Sequence, residues 1–220
     1  MKYDLHTHTK YSLDGVIEPE QLIKTGIKKG LDGIAVTDHD TIKGGVEAKK
    51  YEKDDFMVIV GSEIKTERGE IIGLFLEEEI KSKDVPGVVA EIKEQNGISI
   101  IPHPFDVVRK SALQPTDEDA KLVDCIEGFN SRCVSQKHNN KAVEFALKHN
   151  LTITAGSDAH FAWEIGNAFI LAESSSEDEL KRKILKNEIS FKGKLSNPFN
   201  ECMTKVLKTW RKAVKQDTHG

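Results

Sequence analysis

The sequence predicts a single α/β domain, a barrel or an open sheet, on three observations. Short β-branched runs alternate with segments of helical period along most of the chain. The 220 residues suffice for one continuous core, and no internal repeat, low-complexity tract or linker interrupts them before about residue 193. The chemically distinctive residues fall at or just after the ends of the apolar runs, where both barrels and open α/β sheets present their ligand-binding face.

"YDLHTH" is the first strand, and the helical period of 18–29 returns the chain to "DGIAVTDH". A second helix over 43–52 leads to "FMVIVGSEI", and "GEIIGLFL" predicts a further strand paired with it across the turn at "ERG". A helix over 85–95 feeds "GISIIPHP"; "CIEGFN", a helix over 135–149 and "LTITAGSDAH" follow, and then a helix over 176–187. Beyond "GKLSNP" the last helix places Met203, Val206, Leu207, Trp210 and Val214 on one face, with Lys205, Lys208, Arg211, Lys212 and Lys215 largely elsewhere. That pattern predicts a helix packed on the domain with a solvated basic face; RNA contact or dimerisation is the competing reading. The tail "QDTHG", with His219, is expected to be disordered.

Composition excludes several classes. Charged residues make up 31% and hydrophobic ones 38%, and no apolar run approaches the roughly 18 residues of a membrane span. "MKYDLHTH" has no secretory pattern, so a cytoplasmic location is expected. Cys125, Cys133 and Cys202 form no CxxC pair and read as reduced thiols, Cys133 as a packed residue. A net charge of −4 argues against coating nucleic acid by bulk electrostatics.

His6, His8, Asp38, His39, Glu63, His103, Asn130, Asp158 and His160 all lie at predicted strand ends. Residues i and i+2 of a strand point the same way, so His6 and His8 can present two imidazoles to one ion, and Asp158 and His160 repeat the spacing. One HxH alone is more often satisfied by hydrogen bonds. Five of eight histidines gathered with several carboxylates suit zinc, manganese or iron instead.

"DLHTHTKYSLDG", "TDHDT", "GSEI", "PHPF" and "GSDAH" resemble, in order, the successive motifs of the polymerase and histidinol phosphatase (PHP) superfamily, over about residues 1–195. The resemblance implies a distorted (β/α)7 barrel over 1–195 with the metal site at the C-terminal ends of its strands, and residues 196–220 as a helix and tail on the same domain. It implies two or three divalent ions and phosphoester hydrolysis. His6 and His8 would hold one ion with Glu63 and Asp158, the carboxylates bridging; His103 would bind the ion that shares Glu63; Asp14, His39 and His160 would hold a further one. Asp38 and Asp40 would orient imidazoles from behind. Several relatives carry a histidine about ten residues after the glutamate, where this chain has Ile71, Ile72 and Gly73. That ion is expected to be weak or absent, or to borrow Asn130 as an oxygen ligand.

The stand-alone phosphoesterase branch, which "EGFNSR" resembles, implies that Asn130 lines the site and that Arg132 faces substrate, with Arg109 less secure. A hydroxide bridging the ions is the expected nucleophile, and a nucleotide, a short RNA or another small phosphomonoester the expected substrate. Three alternatives stand beside this reading: a histidinol-phosphate-type phosphatase, an amidohydrolase-like C–N hydrolase, and a catalytically silent PHP scaffold. The C–N hydrolase usually needs a strand-end lysine, and none is convincing here.

Overall fold

Strand residues alternate between two apolar environments, and this alternation builds the sheet. In the computed structural model, which describes residues 1–109 and 111–217 (side chains through Arg211, and Ala213), nine strands form one sheet. They are β1 (Lys2–Asp4), β2 (Gly33–Val36), β3 (Met57–Lys65), β4 (Glu70–Leu74), β5 (Ile98–Ile101), β6 (Cys125–Asn130), β7 (Thr152–Gly156), β8 (Ala168–Leu171) and β9 (Ser190–Gly193). Their order is β7-β6-β5-β4-β3-β2-β1-β8-β9. The helices are α1 (Pro19–Lys28), α2 (Lys43–Lys49), α3 (Val85–Glu94), α4 (Asp119–Leu122), α5 (Gln136–His149), α6 (Glu177–Leu185) and α7 (Phe199–Asp217).

Ala35, Ile59, Ile72, Leu74, Ile98 and Ile100 share one core with Tyr3 and Leu5, while Ile34, Val36 and Val58 join a second with Leu22 and Ile23 of α1, and Ile71 and Ile101 a third with Val88 and Ile92 of α3. Period-two alternation thus fills the barrel interior with one set of side chains and seats helices on the other. Buried on both faces, these strands read in sequence as nearly continuous apolar runs.

Beyond β1 and β7 the chain closes the sheet into a barrel. Asp158 N donates to His6 O at 2.8 Å and His8 N to Ala159 O at 2.9 Å, around a Thr7–Ala159 bridge. The pairings give seven strands one direction and reverse β4 and β8, so the strict strand–helix alternation of a (β/α)7 barrel is not kept. The hairpin expected across "ERG" is present, with Thr66 N donating to Gly69 O at 2.7 Å. Among the described residues, no helix is long and apolar enough to cross a membrane.

The last helix differs from expectation. Val206 and Trp210 are 65% and 62% exposed, and with Met203 and Leu207 they line an open groove beside Val16 and Phe161. Two of its basic residues turn inward instead: Lys208 Nζ donates to Asp14 Oδ2 at 2.7 Å, and Arg211 to the carbonyls of Ser12, Leu13 and Gly15, while Lys205 stays exposed. Unpaired charge and free carbonyls at the barrel rim draw the lysine and arginine more strongly than the apolar stripe finds a core. The side chains of Lys212, Val214 and Lys215, and residue His219, lie outside the described residues.

Candidate active site

His6 and His8 leave the end of β1 with their Nε2 atoms 3.1 Å apart. Each ring is held from behind: His6 Nδ1 lies 2.9 Å from Glu127 Oε1 and His8 Nδ1 3.2 Å from Ser12 Oγ. Both Nε2 atoms face Glu63 and Asp158, His6 at 3.6 Å from each and His8 at 3.4 and 3.3 Å. An imidazole fixed through one nitrogen with the other aimed at carboxylates is the arrangement of metal-binding histidines. Close packing requires glycine here: a Cβ on Gly156 would stand 2.2 Å from His6 Cβ, which accounts for "GSDAH" opening as it does.

Glu63 continues the inward face of Ile59 two turns of the pleat along β3. Its Oε1 lies 2.8 Å from His103 Nε2 and its Oε2 3.0 Å from His39 Nδ1. His39 Nε2 points on to Asp14 Oδ1 at 3.4 Å, and His160 Nε2 reaches the same oxygen at 3.6 Å. His103 and Asp158 are held at φ of 32° and 54°, a left-handed backbone that non-glycine residues rarely adopt and that clusters at functional sites.

Glu70 is the residue that sequence reasoning missed. It is 6% exposed, on the inward face of Ile72 and Leu74, with Oε2 3.6 Å from His103 Nε2 and Oε1 3.8 Å from His39 Nδ1. Because β4 runs antiparallel, its first residue, not its last, arrives at the site. Glu70 therefore stands on the Glu63–His103 side beside Ile71, Ile72 and Gly73, and the Asn130 side chain is bonded elsewhere: its Oδ1 accepts from Arg132 N at 2.8 Å, and its amide nitrogen donates to Glu127 and Asp158.

Four groups, His6/His8/Asp158, His6/Glu63/His103, His8/His39/His160 and His39/Glu63/Glu70, each keep their ligand atoms within 4.8 Å of one another. Among the described residues, Asp14 Oδ1, Glu63 Oε2, Glu70 Oε2 and Asp158 Oδ1 are buried with no well-directed hydrogen bond, the imidazoles lying at 3.0 Å or more from them. A buried carboxylate oxygen left unpaired is costly, so four converging on imidazoles mark a place for cations. The mixed nitrogen and oxygen donors suit divalent metals.

Charge within the cluster supports this. Burial opposes the ionised form of every group, yet Glu127, Asp158 and Glu63 outweigh it and raise His6 well above an ordinary imidazole, as Glu63 and Asp14 do for His39. Burial likewise pushes Glu63 and Asp158 upward, but His6 and His39 pull Glu63, and Arg109 and His6 pull Asp158, well below the carboxylate range. His8, buried beside His160 and His39, is held well below the ordinary value.

Asp38 does not touch the cluster. Its Oδ1 accepts from Thr9 N and Ser12 Oγ at 2.7 and 2.6 Å and its Oδ2 from Thr9 Oγ1 at 2.6 Å, so it acts on His8 through Ser12. Asp40 lies on the rim, bonded to Lys83 and to Lys65 N. Arg132, expected to face substrate, is 5% exposed: its guanidinium meets His160 Nδ1 at 2.6 Å, Thr204 Oγ1 at 2.5 Å and Glu164 Oε1 at 3.4 Å. It is committed to holding His160 and α7. Arg109 instead reaches the cluster, donating to Asp158 Oδ2 at 2.7 Å, with its Nη2 buried and without a hydrogen-bond partner among the described residues, as is Arg132 Nε.

Glu127 and Glu164 were also not singled out from sequence. Glu127 accepts from His103 N at 2.8 Å and Asn130 Nδ2 at 2.9 Å besides meeting His6. A bulge between Glu127 and Phe129 turns both Glu127 and Asn130 inward although they are three apart, which an even pleat forbids. Glu164 accepts from His160 N and Phe161 N at 3.1 and 3.2 Å and from Asn200 of α7.

Residues 136–189 match the family model described as PHP-associated. An uncharacterized protein of Methanocaldococcus jannaschii, MJ1587, is 44% identical over 160 residues, 67% of this chain and 92% of that protein. A second from the same organism, MJ0417, is 39% identical over 201 residues, 87% of this chain and 80% of that protein. Among solved structures, a two-domain Bacteroides vulgatus protein containing a predicted PHP-like metal-dependent phosphoesterase superposes with a TM-score of 0.74 at 21% identity, covering 88% of this chain and 65% of that one. With its early HxH, its late Asp–Ala–His and a barrel of this form, the chain belongs to the PHP superfamily.

Proposed function

We propose that this chain is a metal-dependent phosphoric ester hydrolase acting on a phosphomonoester. The observation that carries the reading is the set of four unpaired buried carboxylate oxygens facing five imidazoles. His6, His8, Glu63 and Asp158 would hold one ion, Glu63, Glu70 and His103 a second, and Asp14, His39 and His160 a third. Bound zinc, manganese or iron would lower the pKa of a coordinated water towards 7 and offset charge on phosphoryl oxygens. The chain's own part is positioning: Glu127 and Ser12 fix the imidazoles of His6 and His8, and Asp38 fixes Ser12.

Arg109 takes the role first given to Arg132. It stands at the cluster with donor capacity to spare, a planar fork suited to a phosphate dianion. Lys208, over Asp14, adds a second cation on the substrate side. A small phosphorylated molecule, a nucleotide or the end of a short RNA, fits that charge pattern; the basic face of α7 extends it.

Metal uptake has a definite pH sense. With no ion bound, the raised pKa values of His6 and His39 keep both imidazoles protonated near neutrality. A metal needs them neutral, so uptake releases protons and apparent affinity rises with pH.

The substrate class is tested by a panel of phosphomonoesters, including nucleotides and histidinol phosphate, set against N-acyl amides in the presence of manganese. Turnover of phosphomonoesters alone is expected; amide hydrolysis alone would turn the assignment to C–N chemistry, and no turnover of either would favour a scaffold.

A further inference from the structure

Next to the cluster, but sharing no residue with it, Asp106, Cys133 and His138 offer an oxygen, a sulfur and a nitrogen within 4.8 Å of one another. They come from three places: the loop after β5, the turn after β6 and the first helical turn of α5. Asp106 and Cys133 are 2% and 3% exposed, and the His138 side chain 13%. From sequence Cys133 had only a packing role: His138 follows it by five residues, but Asp106 comes from a separate loop far back in the chain.

The spacing of two of the donors suits ligation, and they do not share a well-directed hydrogen bond. Asp106 Oδ1 and His138 Nδ1 stand 3.4 Å apart, and Nδ1 is buried with no hydrogen-bond partner among the described residues. In a tetrahedral zinc site with bonds of about 2.0–2.1 Å to nitrogen and oxygen, neighbouring donors are separated by about 3.3–3.4 Å. Asp106 has other contacts: its Oδ1 accepts from Val108 N at 3.1 Å and its Oδ2 lies 3.9 Å from Arg109 Nε; burial pushes the Cys133 thiol up, and the nearby Arg109 guanidinium opposes that shift and favours the thiolate.

We infer that Asp106, Cys133 and His138 form a separate thiolate-containing zinc site that ties the Arg109 loop to the start of α5. Uptake replaces the S–H bond of Cys133 with a zinc–sulfur bond and releases the proton to solvent; no redox step is involved. The consequence for the larger site is positional. Arg109 follows Asp106 by three residues and ends on Asp158, so a metal joining Asp106 to α5 fixes the base of that arginine. The inference does not depend on the hydrolase reading.

The donor set supplies the test, since sulfur is absent from the His and carboxylate cluster. The full chain, stripped of metal and titrated with cobalt(II) alone, is expected to develop thiolate-to-cobalt charge-transfer absorption that Cys133→Ala abolishes and Cys202→Ala retains. His138→Gln, at a partly exposed position that should leave the fold intact, is expected to weaken the cobalt binding read by that band by about tenfold or more. No charge-transfer band in the unmutated chain at excess cobalt, a band surviving Cys133→Ala, or unchanged affinity in His138→Gln would each overturn the site.

Discussion

Glu63→Gln is expected to lower kcat for a phosphomonoester by about 10³-fold, roughly 4 kcal/mol, while leaving the fold in place. The two oxygens of Glu63 meet both sides of the cluster, His103 and His6 on one, His39 and His8 on the other, and more closely than Glu70, which spans His103 and His39 at 3.6 and 3.8 Å. Glutamine keeps its shape but replaces one oxygen by an amide nitrogen, which donates and cannot ligate a cation. Bound metal, measured by elemental analysis after gel filtration, should fall in the same variant. A Glu63→Gln protein with both its metal and its turnover intact would show that the residue does not join two ions.

Arg109→Ala should reduce kcat/KM by about 10²-fold, equivalent to about 3 kcal/mol, with lysine restoring only part. The expectation rests on its reach to Asp158 and its unpaired guanidinium nitrogen. Arg132→Ala separates the two arginines. Its removal leaves the buried Glu164 without its cation, so it should cost about 3 kcal/mol of stability, read by denaturant unfolding, without the substrate selectivity of the Arg109 effect. If Arg132→Ala lost kcat/KM at unchanged stability while Arg109→Ala did not, Arg132 would be the substrate-facing residue after all.

Much of this site was legible because strand ends and period-two spacing are local. His6 with His8, and Asp158 with His160, could be paired by parity alone, and Glu63 by its place at the end of "GSEI". Glu70 was hidden by direction. A rule that looks at the last residues of strands overlooks an antiparallel strand, whose first residue reaches the same rim. Glu127 was hidden by the bulge that sets it and Asn130 on one face, since an even pleat would have put them on opposite ones.

α4, β8 and β9, of four residues each, were not read from the sequence, although β1, β2 and β5 are no longer; those three were marked by the histidines that follow them, which α4, β8 and β9 lack. The apolar stripe of α7 was visible, but which face it would turn to the barrel was not. That depends on carbonyls of Ser12, Leu13 and Gly15 left open to Arg211, a contact across nearly the whole chain.

The central claim, that the buried carboxylates and imidazoles hold divalent ions for phosphomonoester hydrolysis, is tested most directly by titrating metal-stripped protein with manganese while turnover and bound metal are followed together, at pH 6 and pH 8. Turnover should be absent at the start, return in step with bound manganese, and require less manganese at pH 8, where His6 and His39 surrender their protons more readily. Full phosphomonoester turnover by the stripped protein, or manganese binding without any return of turnover, would contradict it.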